Sequence, residues 1–188
     1  TGHLGPGALH VVGRGVGYDL PSQLEAVRIG GETYVIIGST GSNSLSVFRL
    51  DASGQLIVTD HIIDEQTTRF QSVTALETVT IGDRAFVFAG GADDGISVFT
   101  LLPDGRLLHL TTLADTNGMT LSDVSSIKAV VRDGKIMLFV GSATETGLTQ
   151  LVLDPGQLGL TGRAGAGVVR GGSGGDLLVA QAGTTRLE

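Results

Sequence analysis

Apolar and polar residues alternate at period two over much of the chain, as is typical of β-strands with one buried face. The alternating stretches are rich in Val, Leu, Ile and Thr, and the 30 glycines predict tight turns between them. No stretch of convincing length shows the i, i+3, i+4 spacing of an amphipathic helix. The pattern therefore predicts an all-β fold made of short strands.

A turn of sequence Gly-x-Leu recurs along the chain with nearly constant spacing. Its glycines are separated by 52, 51 and 51 residues, and two further landmarks, a Leu/Ile-x-x-Val strand and an apolar strand that ends in glycine, keep the same register in the first three units. A register held at three landmarks indicates a true repeat. The turn glycines are Gly2, Gly54, Gly105 and Gly156; the two kinds of strand are 24–27, 76–79 and 127–130, and 34–38, 85–90 and 136–141.

Each unit reads as four strands, which gives three repeats of about 51 residues at 2–53, 54–104 and 105–155. The nearly all-apolar third strand of each unit is expected to be covered on both faces. Two-residue turns precede this strand, and glycine-containing loops follow it. The turns are 30–31, 82–83 and 133–134, and the loops are 39–44, 91–95 and 142–147.

Four short strands per unit is the pattern of a β-propeller blade, and the segment Asn43–Leu56 resembles blades of the lactonase-like propellers. The resemblance covers residues 1 to about 158 and carries no catalytic residue with it. A β-trefoil is the alternative fold, since it also contains three units of four strands. Three blades do not close an ordinary ring, since four is about the minimum. Either further blades lie upstream, or protomers combine, or the true fold is three-fold.

The chain begins inside the first Gly-x-Leu turn, which predicts further sequence upstream. In a ring, residues 8–12 would form the outer strand of a neighbouring blade.

The segment Gly171–Val179 matches the nine-residue pattern G-G-x-G-x-D-x-U-x at every specified position. Shifts of nine residues to 162–170 and 180–188 keep the glycine at position four and the aliphatic residue at position eight, as Val169 and Leu187. The segment resembles the hemolysin-type calcium-binding repeats of RTX proteins. That resemblance implies the start of a parallel β-roll at 159–188, with Ca²⁺ held by Gly171, Gly172, Gly174 and Asp176. Calcium in such a roll is shared between successive turns on one side, so the remaining ligands are expected beyond Glu188.

The composition narrows the classes of partner. The net charge is −7 and the lysines are Lys128 and Lys135 alone, which argues against nucleic acid and anionic membranes and favours a hard cation. The chain has no cysteine, so thiol catalysis and thiolate metal sites are excluded. No membrane-spanning apolar run, hydrolase elbow, zinc-protease motif or phosphate loop is present.

The richest polar segment is Asp60–Arg69, in the connection that follows an outer strand. His61, Asp64 and Arg69 offer acid–base groups, so a lactonase-like hydrolase is one alternative function, although a solvated loop explains the segment more simply. The run Asp93-Asp94-Gly95 is interpreted as a hairpin turn. A sugar-binding lectin-like domain is a third candidate, but the chain has no tryptophan to stack on sugars.

The leading hypothesis is a non-enzymatic, calcium-binding module of a secreted bacterial RTX-type protein. Type I secretion would place it outside the cell or on its surface, and the β repeats would serve as a platform for binding or assembly.

Overall fold

The computed structural model describes Gly5, Gly7, residues 17–116 and residues 118–157, together with the backbone of strands at 161–169 and 176–187 and the Arg186 side chain. Within these ranges every regular element is a β-strand, which confirms the predicted all-β class. The described residues contain no helix of the length and apolarity needed to cross a membrane.

Three antiparallel sheets follow one another along the chain, and each is a meander in which sequential strands pair. Sheet I contains β1 (Pro21–Ile29), β2 (Glu32–Ser39), β3 (Ser44–Leu50) and β4 (Leu56–Ile63). Sheet II contains β5 (Ala75–Ile81), β6 (Arg84–Gly90), β7 (Gly95–Leu101) and β8 (Leu107–Ala114). Sheet III contains β9 (Val124–Arg132), β10 (Lys135–Ser142) and β11 (Thr149–Leu153).

The predicted turns and loops join these strands. In sheet I the two-residue turn between β1 and β2 has φ of 60° at Gly30 and 85° at Gly31, the conformation that a tight hairpin requires. In each of the three sheets a longer loop joins the second strand to the third, as the sequence predicts.

The sheets and the sequence repeats are out of phase by one strand. Strand β4 follows the Gly54 turn, and therefore belongs to the second repeat, yet it pairs with β3 of the first. Strand β8 likewise follows Gly105 and pairs with β7. The second and third repeats thus give their first strands to the preceding sheets, so each of these repeats spans two sheets. The outer strand expected from residues 8–12 lies outside the described residues.

The sheets stack face to face, with β1 against β5 and β5 against β9. One core lies between sheets I and II and contains Tyr34, Phe70 and Phe99; another lies between sheets II and III and contains Phe86, Phe88 and Ile136. Strand β6 is buried along its length and sends alternate side chains to the two cores, so the prediction that it is covered on both faces is confirmed.

The described sheets do not close into a barrel. This favours separate blade-like sheets over the trefoil alternative. After the fourth Gly-x-Leu turn, at Gly156, β12 (Thr161–Val169) does not extend sheet III but pairs in parallel with β13 (Asp176–Leu187).

Candidate functional site

The polar segment Asp60–Arg69 begins within β4 and not after it, and its side chains make hydrogen bonds that hold the fold. Asp60 Oδ2 accepts a hydrogen bond of 2.7 Å from the backbone N–H of Leu107 in sheet II. The Nδ1 atom of His61 lies 2.8 Å from Ser46 Oγ on the neighbouring strand of its own sheet. Both side chains stabilise strand pairing or sheet stacking.

Asp64 organises the loop that leads from sheet I to sheet II. Its Oδ1 accepts hydrogen bonds from Thr68 Oγ1 at 2.7 Å and from the backbone N–H of Phe70 at 3.1 Å. One repeat later, Asp115 Oδ1 accepts from the N–H of Leu121 at 3.3 Å. Because this backbone hydrogen bond recurs at the equivalent position of the next repeat, it is a property of the repeat and not of a single functional site.

The charges of Asp64 and Arg69 act on Asp93, so two carboxylates and a guanidinium share one end of the sheets. Burial, with a second contribution from the charge of Asp64, raises the pKa of Asp93 from 3.8 to about 6. Such a carboxyl group can exchange a proton near neutral pH. Its Oδ1, however, accepts the backbone N–H of Gln71 at 3.1 Å, which is again a bond that shapes a loop.

Asp94 joins sheet II to sheet III. The residue lies in the predicted hairpin turn with φ of 54°, and its Oδ1 accepts from the Asp123 N–H at 3.1 Å and from Ser122 Oγ at 2.9 Å. In sheet I the same position is Asn43, whose Oδ1 accepts from the Ser72 N–H at 2.8 Å. The acidic run therefore serves as a turn and as a link between sheets.

A charged residue occupies the same position in all three inner strands: Glu25, Glu77 and Lys128. Lys128 Nζ lies 2.5 Å from Glu77 Oε2, and the Glu77 side chain is only 11% exposed. Burial, followed by the charge of Glu77, raises the pKa of Glu25, and the hydrogen bond that Lys128 donates to Glu77 raises the pKa of Lys128. The sequence carried a signal for this group, a charged residue at the equivalent position of all three inner strands, but not for the contact itself.

The proposed calcium ligands Gly171, Gly172 and Gly174 lie outside the described residues. Asp176 is the first residue of β13, and its backbone pairs with Thr161. At the other end of the pair, Val169 is in register with Leu187. Among the described side chains no cluster of three or more His, Cys, Asp or Glu is placed to hold a metal ion.

Two cavities between neighbouring sheets are small. One of about 140 Å³ is lined by Thr74, Asp123 and Ser125 between sheets II and III, and one of about 220 Å³ lies near Gly31 and Gly82 between sheets I and II. Ligand pockets more often enclose about 300–1,000 Å³.

No protein-family model matches the chain, and no curated protein matches it. Among solved structures it is similar to the crystal structure of a protein from Lactobacillus plantarum, with 15% identity and a TM-score of 0.39. That match covers 64% of this chain and 39% of the other.

Proposed function

We propose that the chain is a non-enzymatic, calcium-binding module of a secreted RTX-type protein, in which the stacked sheets form an assembly platform and the tail begins a calcium-binding roll. The observation that supports the calcium part is the parallel pairing of β12 with β13. The paired residues are 15 apart at the start of the strands, as in Thr161 with Asp176, and 18 apart at Val169 and Leu187, which occupy position eight of the first and third nine-residue units. Two units per turn bring every second unit onto the same side of a roll.

The roll supplies the chemistry that calcium needs. Backbone carbonyl groups and a carboxylate are hard oxygen ligands, and glycines allow the chain to turn tightly enough to direct carbonyls at one point. Asp176 is the one aspartate of the three units. A second aspartate on the same side would have to come from 18 residues further on.

The hydrogen bonds of the polar side chains support the proposal that the stacked sheets form an assembly platform. Asp60, Asp64, Asp93 and Asp94 each accept backbone hydrogen bonds that fix a loop or link two sheets. A carboxylate held in this way already has hydrogen-bond partners. These four aspartates therefore favour a structural role over hydrolysis. Secretion by a type I pathway and a location outside the cell follow from the RTX resemblance and belong to the same proposal.

The experiment adds a second aspartate to the proposed calcium site. One nonapeptide, Gly-Gly-Ser-Gly-Gly-Asp-Leu-Leu-Val, is appended directly after Glu188, which places its aspartate 18 residues after Asp176. Far-ultraviolet circular dichroism is then recorded with chelator and with millimolar calcium. We expect added β signal with calcium, because the ion relieves carboxylate repulsion as the site assembles.

Two controls separate calcium binding from unspecific effects. Magnesium at the same concentration should give a smaller response, because it requires a tighter octahedral shell. Asp176→Asn in the extended chain should remove the calcium response. An unchanged spectrum in the extended wild-type chain would contradict the calcium role.

A further inference from the structure

Sheet III has three described strands, whereas sheets I and II each have four. In sheets I and II the fourth strand, β4 or β8, begins at the leucine of a Gly-x-Leu turn and pairs antiparallel with the third strand. A Gly-x-Leu turn also follows β11, at Gly156, yet within the described ranges no strand pairs with the outer edge of β11. Sheet III is therefore open at the edge where the repeat supplies a strand to the other two sheets.

The open edge leaves side chains of β11 less covered than their equivalents in β7. Leu151 and Leu153 are only partly buried against the core between sheets II and III. Phe99 and Leu101, at the same positions of β7, are each 1% exposed in the core between sheets I and II, to which the fourth strand of sheet II adds Leu107. An unpaired edge also presents backbone N–H and C=O groups on which another chain can pair. A fourth strand on β11 would cover both the side chains and the backbone.

The turn that follows β11 suits a hairpin. The N–H of Gln157 donates to the carbonyl oxygen of Asp154 at 3.0 Å, three residues back, and Asp154 Oδ1 accepts from the Gly156 N–H at 3.0 Å. Aspartate at the first position and proline at the second are typical of such a turn. Loops of four residues built on a turn of this kind join antiparallel strands, so this turn fits a strand that returns along β11.

The chain continues instead into β12, whose two halves pair differently with β13. Val168 and Val169 pair with residues 18 further along the chain, which is the length of two nine-residue units. Residues 161–165 pair with residues 15 further along, which is not a multiple of nine, and register shifts separate the two halves. The first half of β12 therefore does not follow the phase of the nine-residue units.

The first half of β12 holds the repeat position of an outer strand. Counted from the leucine of the preceding turn, residues 161–165 correspond to 59–63 of β4 and to 110–114 of β8. Both of those segments end their strands and pair antiparallel within a sheet. Antiparallel pairing is slightly more stable per residue than parallel pairing, so β11 is a competitive partner for this segment.

We propose that residues 161–165 exchange between two partners, β13 in the roll and the open edge of β11 in sheet III. In the second state they form the fourth strand of sheet III and cap its edge, and in the first state the edge is open to pairing. The exchange is a property of the chain itself and goes beyond the proposed function, because it requires no calcium. In sheet II, Val98 pairs with Thr111; the equivalent pair in the completed sheet III is Gln150 with Gly162.

The first experiment traps the completed sheet with a disulfide, since the natural chain has no cysteine to interfere. Gln150→Cys combined with Gly162→Cys should oxidise within one chain in a thiol–disulfide buffer, because opposite residues of antiparallel strands have Cα atoms within disulfide range. The buffer contains chelator, so the outcome is independent of the calcium proposal. Absence of the disulfide, or a disulfide that joins two chains and doubles the mass, would overturn the inference.

A matched pair tests the register of the trapped strand. Gln150→Cys combined with Arg163→Cys moves one cysteine by a single residue, and neighbouring residues of a strand point to opposite faces. This variant should stay reduced under the conditions that oxidise the first. Equal oxidation of the two variants would contradict a defined fourth strand and would indicate unspecific contact.

The second experiment locks the segment in the roll and measures the edge that it leaves. Gly162 pairs with Leu177, so a disulfide between Gly162→Cys and Leu177→Cys holds residues 161–165 on β13. Hydrogen exchange at 149–153, followed by mass spectrometry in chelator, should be at least roughly twofold faster in the oxidised than in the reduced variant, because the lock keeps the edge of β11 unpaired. Equal exchange in the two forms would overturn the inference and leave the calcium proposal standing.

Discussion

Lys128 Nζ lies 2.5 Å from Oε2 of Glu77, and these two residues hold the same position in consecutive repeats. Glu77 Oε1 also accepts from the backbone N–H of Ala129 at 3.4 Å. One carboxylate thus links sheet II to sheet III through a side chain and a main chain. At this position sheets II and III carry opposite charges, whereas sheet I carries Glu25, the same charge as Glu77.

Lys128→Met should destabilise the fold by roughly 1 kcal/mol, because it leaves the nearly buried Glu77 carboxylate with less compensation, while the 72% exposure of Lys128 limits the loss. Urea denaturation at neutral pH measures the change. Lys135→Met is the matched control, since its partner Asp154, at 3.5 Å, is 31% exposed against 11% for Glu77. An equal loss in both variants would argue against a special role for the Glu77 pair.

Asp93→Asn should stabilise the protein at pH 7.5. The pKa of Asp93 is raised to about 6 in the folded state. Its contribution to folding stability is therefore complete below pH 3.8 and is lost as the pH rises through 6. The amide keeps an acceptor for Gln71 and removes the charge beside Asp64. We expect a gain of roughly 1 kcal/mol, allowing for partial exposure of the side chain.

The pH dependence of this gain is the decisive feature. Melting temperatures of the Asp93→Asn variant and the wild type should converge near pH 4. Asp83→Asn, in an exposed hairpin turn, changes the net charge equally and controls for it. A difference that persists unchanged at pH 4 would contradict the cause given for the raised pKa.

The fold was largely predictable because its signals are local. Alternation predicted the strand of the Leu24 segment, a continuous apolar run predicted that of the Tyr34 segment, and paired glycines such as Gly30 and Gly31 predicted the turns. The contacts that organise the candidate site were not predictable, because each joins residues from different repeats. Nothing in the sequence near Asp94 indicates that it accepts from Asp123, and pairing of β4 with the preceding sheet depends on how the repeats stack.

Gly90→Ala should destabilise the protein by roughly 1–3 kcal/mol, since the new methyl group meets Val124 Cγ1 at 2.7 Å in a packed interface. Gly141→Ala should cost the monomer less, because the flexible Ser126 Oγ is its nearest neighbour. Thermal unfolding of both variants makes the comparison. A Gly141→Ala variant as unstable as Gly90→Ala would show that the two glycines serve the same purpose within one chain.

Thr74→Val should lower the free energy of unfolding by roughly 1 kcal/mol, because it removes the hydroxyl bridge from sheet II to the Val124 carbonyl group. Ser125→Ala is its counterpart at the outer face and breaks only a 3.2 Å bond within sheet III. In chemical denaturation of monomeric protein, Ser125→Ala should therefore have the smaller effect. The reverse order would count against the bridge as a link between sheets.

Calcium binding by the tail is tested most directly by isothermal titration of the chain extended by one nonapeptide after Glu188. We expect one calcium ion bound per extended chain, with binding lost in its Asp176→Asn variant. The absence of binding heat in the extended wild-type chain, or equal binding after Asp176→Asn, would contradict it.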